Sequence, residues 1–144
     1  MARLKDPFCS ISHWVGLGLA VIGVIVLIAL SIGKPLHLLA FGIYGLGLAT
    51  LYFASAFYHT IRASGKAERR LQKFDHSAIY LMIAGSYVPV CLLALRGAWR
   101  EWLLIAEVLL MLTGVVLTIT LKRVPGAVRV PLYLLMGWMA VVAL

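Results

Sequence analysis

The chain has 144 residues, 63% hydrophobic and 12% charged, with mean hydropathy +1.02 and a formal net charge of +8. A soluble domain of this size could not bury so much apolar surface, and its exposed faces would aggregate. Strand alternation is absent, which argues against a β-barrel, and the basic excess sits in short segments beside apolar runs, where orientation in a membrane explains it without a nucleic-acid partner.

Five apolar stretches predict an all-α, polytopic transmembrane bundle that forms one domain over 1–144. The first covers 14–32 and follows a basic start with Arg3 and Lys5. It is too long for a signal-peptide core of ~7–15 residues, and no small-residue cleavage site follows, so it reads as a retained helix. Its entry, DPFCSISHWVG, carries Asp6, Ser12 and His13. The second stretch covers 36–57, with Pro35 at a first-turn position where a missing N–H costs little. It ends LYFASAFYHT, and the spacing of four puts Ser55 and His59 on one helical face.

Residues 62–73 form the largest basic segment, read as a loop that sets topology and can touch anionic lipid heads. The third stretch covers 78–95 and is entered through LQKFDHSAIYLMIAGSYVP. Asp75 there suits a helix N-cap, and Pro89 should kink the helix or end its regular bonding near Gly85. The fourth stretch covers 102–121 and contains Glu107, read as a boundary residue or an interhelical hydrogen bonder. The fifth, 130–144, spans roughly 22 Å at ~1.5 Å per residue, short of a core of ~30 Å. That shortfall predicts a piece of a longer protein.

Small residues recur in the first two stretches, with Gly16/Ala20 and Gly45/Ala49 as small-xxx-small pairs. They predict close helix packing within the bundle, with homo-oligomerisation as the alternative. Cys9 and Cys91 should lie on opposite membrane faces and not pair. Ten of the thirteen Lys and Arg fall on the face that carries the N-terminus and three on the other, so the N-terminus should be cytoplasmic.

Ionisable residues in a membrane helix are costly and point to function. The topology places His13, His59 and Asp75 in one cytoplasmic-side layer, with His76 as a further candidate ligand. Imidazole and carboxylate donors suit zinc, which in catalytic sites takes three protein ligands and a water. His37 belongs to the opposite face and reads as interfacial.

SAFYHT followed by LQKFDHSAIYLMIAGSYVP resembles the haemolysin III family, within the progestin and adiponectin receptor superfamily. DPFCSISHWVG resembles that family's opening segment and PLYLLMGWMAV its fifth helix. The resemblance implies a seven-helix bundle with a cytoplasmic N-terminus and a zinc ion near the cytoplasmic side. It implies that His59 is a metal ligand, that Asp75 holds or deprotonates the zinc-bound water, and that Ser55 supports the site. The family's remaining zinc histidines come from an H-x-x-x-H motif on the seventh helix, and no such motif occurs here. The expected function is a zinc-dependent hydrolase of membrane lipid amides in a longer parent, with this chain inactive alone. A cytolytic membrane protein, or a zinc-stabilised sensor without turnover, is the alternative. The expected setting is the bacterial inner membrane, with membrane lipids as partners.

Overall fold

A computed structural model describes the backbone of residues 4–143 and the side chains of residues 4–141. Arg3 and the end of the fifth stretch at Leu144 lie outside the described residues. The described chain is all helix: α1 (Pro7–Leu30), α2 (Pro35–Thr60), α3 (Gly65–Pro89), a π-helical turn (Val90–Ala94), α4 (Ala98–Thr120), α5 (Gly126–Trp138) and a final 3-10 turn (Met139–Ala143). Four helical segments are long and apolar enough to cross a membrane, the third being α3 continued through the π turn. The chain is a transmembrane helical bundle.

Each boundary has a local cause. Pro7 and Pro35 open α1 and α2, where a fixed φ and a missing N–H are tolerated. Gly33 and Gly97 turn the chain with positive φ between successive helices. Regular α bonding gives way to the π turn directly after Pro89, whose absent N–H cannot reach back to Gly85. α3 begins at Gly65, so most of the basic segment 62–73 is helix and not loop. The N-cap position belongs to Ser64. Asp75 lies well inside α3 and is buried, which overturns its reading as an N-cap. The physical reason is that apolarity marks where the hydrocarbon begins, whereas a helix can extend beyond it into the interface.

α3 is the hub, packing against α2 on one side and α4 and α5 on the other, while α1 lies along α2. Its buried stripe includes Asp75, Ala78, Tyr80, Ala84, Gly85, Tyr87 and Val88. The large outward side chains, such as Leu19, Ile22 and Ile25 on α1, are exposed as a lipid-facing surface requires. Glycines make the contacts tight. Gly16 meets the Tyr52 ring, Gly45 meets Val24, and a Cβ on Gly85 would lie 4.0 Å from the Gly47 Cα. These close approaches lie within one chain and fit the intramolecular reading of the small residues.

On the inner side of α3, Tyr80 packs with Met136 and lies 4.5 Å, ring to ring, from Tyr133. Gly114 of α4 faces the same Tyr80 ring. The Tyr87 hydroxyl donates to the Met136 carbonyl (2.7 Å) and accepts from the Ala140 N–H (2.9 Å), tying the end of α5 to α3.

Candidate functional site

The end of the bundle that carries the N-terminus concentrates its polar chemistry. Thr60 closes α2, and its hydroxyl donates to the Ala56 carbonyl at 2.6 Å. With that proton committed, the same oxygen accepts from Ser10 at 2.6 Å and from the Trp14 indole at 2.9 Å. α1 is thereby pinned to the last turn of α2. Arg62 adds two bonds to the Leu4 carbonyl, at 3.0 and 3.3 Å. Lys5 pairs with Glu68 and lies 3.4 Å over the Tyr58 ring. Burial lowers the affinity of Lys5 for its proton, but the bonds to Glu68 and Tyr58 outweigh it and raise the ammonium above its ordinary value of 10.5.

These ties set the geometry of His59. The Asp6 N–H donates to the His59 carbonyl at 3.0 Å, and the His59 Nδ1 lies 2.9 Å from the Asp6 carboxylate. A carboxylate only accepts, so Nδ1 carries the proton, and a neutral ring presents the Nε2 lone pair. This is the outer-shell arrangement that orients metal-binding imidazoles. The His13 ring lies 5.7 Å from that of His59, centre to centre, and its Nδ1 is buried without a hydrogen-bond partner among the described residues.

Of the residues picked out by sequence, the structure therefore gathers His59, His13 and Asp6, and it makes Asp6, given no role in the sequence reading, the carboxylate partner of His59. Nothing local to the Asp6-Pro7 start of α1 shows that its carboxylate meets a residue 53 positions away. Ser55 is buried one turn before His59 on α2. Asp75 is buried on α3, and the carboxylate bonded to His59 is that of Asp6. His76 turns away to α5: its Nδ1 accepts from the Arg129 guanidinium at 2.8 Å, and its carbonyl accepts from the Tyr133 hydroxyl at 2.9 Å.

Glu107 departs from its reading as a boundary residue or hydrogen bonder. It is fully buried, and neither carboxyl oxygen has a partner among the described residues. The reason is its register, because Leu103, Glu107, Gly114 and Thr118 form the inward stripe of α4.

Among the described residues no three His, Cys, Asp or Glu side chains converge as a metal site. A catalytic zinc draws on three protein donors. His59 suits one of those positions and His13 adjoins it, and the described residues gather no third donor beside them.

The chain matches, over residues 1–144, the family described as Haemolysin-III related. It is 36% identical over 138 residues to Hemolysin-3 of Bacillus cereus, covering 94% of this chain and 62% of that protein. It is 33% identical over 146 aligned positions to the Hemolysin-3 homolog of Bacillus subtilis (strain 168), covering 99% of this chain and 68% of that one. It thus spans a little under two thirds of the first relative and about two thirds of the second. No solved structure matches it. With a full-length family match and two relatives at this identity, this integral membrane chain belongs to the haemolysin III family.

Proposed function

We propose that this chain supplies part of the site of a zinc-dependent hydrolase acting on membrane lipid, with the N-terminal face in the bacterial cytoplasm. The observation that carries the reading is the His59–Asp6 pair: an imidazole fixed through Nδ1, with Nε2 left to donate, beside a second imidazole with an unpartnered buried nitrogen. Asp6 sets the tautomer and aim of His59. Asp75, buried on α3, is the acid–base candidate, and Ser55 is the polar support one turn from His59. Zinc, when bound, lowers the pKa of water towards ~7 and polarises a carbonyl. The remaining donors must come from residues outside the cluster seen here.

The test compares the 144-residue chain with a full-length haemolysin III protein, both in maltoside detergent. Zinc per mole and cleavage of a lipid amide are measured for each. The full-length protein should hold zinc and turn over. An Asp-to-Asn change at the position matching Asp6 should weaken its zinc affinity by about 10–100-fold, and loss of the imidazole matching His59 should abolish both properties. The 144-residue chain should hold less than one zinc and show no turnover. Full-length protein that contains zinc yet cleaves no lipid would reject the hydrolase in favour of a sensor, and stoichiometric chelator-resistant zinc on the short chain would reject the ligand assignment.

A further inference from the structure

We propose that the cleft between the start of α3, the end of α4 and the start of α5 binds a phosphate group, most directly the headgroup phosphate of an anionic phospholipid. The cleft has a volume of about 460 Å³. Five cationic side chains line it: Arg69 and Lys73 from α3, Lys122 and Arg123 from the α4–α5 connection, and Arg129 from α5. No Asp or Glu contributes to its wall. The nearby acid Glu68 is already paired with Lys5. Arg69, Lys122 and Arg123 form no ion pair among the described residues.

Orientation of the chain in a membrane requires only that basic residues be numerous on one face. It doesn't require them to converge from three separate elements on one cavity. Here they converge, and the convergence is built. Lys73 bonds the Ile119 and Leu121 carbonyls at 2.7 Å each, which fixes its ammonium at the end of α4. Arg129 donates one N–H to His76 and keeps its other donors, and because His76 accepts through Nδ1 it contributes an uncharged ring to the wall. Gly126, the first residue of α5, also lines the cleft and brings its own first-turn N–H, since the Val128 and Arg129 N–H groups are taken by the Pro125 carbonyl. Like charges this close repel one another unless an anion joins them. Guanidinium forks and ammonium groups match the oxygens of a phosphate. The cleft lies where the headgroups of the adjoining leaflet lie, since α3 and α5 pass from there into their apolar portions.

Native mass spectrometry of the intact chain, released from a phosphate-free maltoside detergent, tests this. Phosphatidylglycerol, phosphatidylcholine and inorganic orthophosphate are titrated separately. Arg69→Gln/Arg123→Gln changes two exposed, unpaired residues and should leave the fold intact. Arg96→Gln/Arg100→Gln removes the same charge from the opposite face. Phosphatidylglycerol should bind in preference to phosphatidylcholine. The first double variant should weaken it about thirtyfold, and the second should leave it unchanged. Orthophosphate binding with the same dependence on Arg69 and Arg123 would support the site and assign it to a soluble phosphate. Absence of both adducts, equal affinity for the two lipids without orthophosphate binding, indifference to the first double variant, or equal losses in both would overturn the proposal.

Discussion

Gly114→Ala is the sharpest test of how this bundle is packed. A Cβ at position 114 would lie 2.5 Å from the Cδ1 and Cζ atoms of Tyr80, against a contact optimum of ~3.5–4.0 Å. The ring must therefore retreat by about an ångström, and it has nowhere to go. Tyr80 is 1% exposed, with Met136 and Tyr133 packed around it. Overpacking of this kind costs up to about 3 kcal/mol, while replacing a helical glycine by alanine returns about 1 kcal/mol. The expected net loss is about 2 kcal/mol, roughly a thirtyfold fall in the folded-to-unfolded ratio. Gly18→Ala is the matched comparison, because a Cβ there meets nothing within 4 Å. It should be neutral or stabilising by up to about 1 kcal/mol. Equilibrium unfolding of both variants in the same mixed micelles gives the difference directly. Equal stabilities, or a more stable Gly114→Ala, would refute the α3–α4 packing described above.

The Lys5–Glu68 pair has side chains 23% and 29% exposed and should contribute less than about 1 kcal/mol. Because folding raises the Lys5 pKa above 10.5, that contribution is whole at lower pH and fades as the pH climbs through the folded value. The unfolding-midpoint gap between wild type and Lys5→Met should narrow from pH 8 to pH 11.5; a constant gap would remove the charge from the explanation. The ten-to-three basic split predicts that a cysteine at Ser64 is shielded from impermeant label in intact cells while one at Ala98 reacts, and the reverse pattern would invert the topology.

The apolar cores of the four spanning segments were legible because hydropathy reports transfer into lipid. Their ends were not. α1 starts at Pro7, before the apolar run at Trp14, and α3 starts at Gly65, before the run at Ala78. Residues such as Lys66 and Arg70 are polar because they leave the hydrocarbon, not because the helix stops. The spacing of Ser55 and His59 on one turn is a local property and could be read directly. The bond from His59 to Asp6 and the turn of His76 towards Arg129 depend on tertiary packing between positions 53 apart, which no local pattern encodes. Glu107 was misread for a related reason: its depth was estimated from the span boundary, whereas its fate followed from the phase of the inward stripe on α4.

The near contact of Gly47 with Gly85 makes the α2–α3 crossing a fulcrum. His59 lies about 18 Å along α2 from that point at ~1.5 Å per residue, and Asp75 lies a comparable lever arm away on α3. A tilt of about 5° at the crossing would displace His59 by roughly 1.5 Å; in the hydrolase proposed above, a misplacement of ~1 Å would cost about a hundredfold in rate. A Cβ at Gly47 would already press on the Leu81 carbonyl at 3.3 Å. A methyl group far from His59 and Asp75 is therefore amplified along two rigid helices into a shift of His59 relative to the α3 segment that carries Asp75.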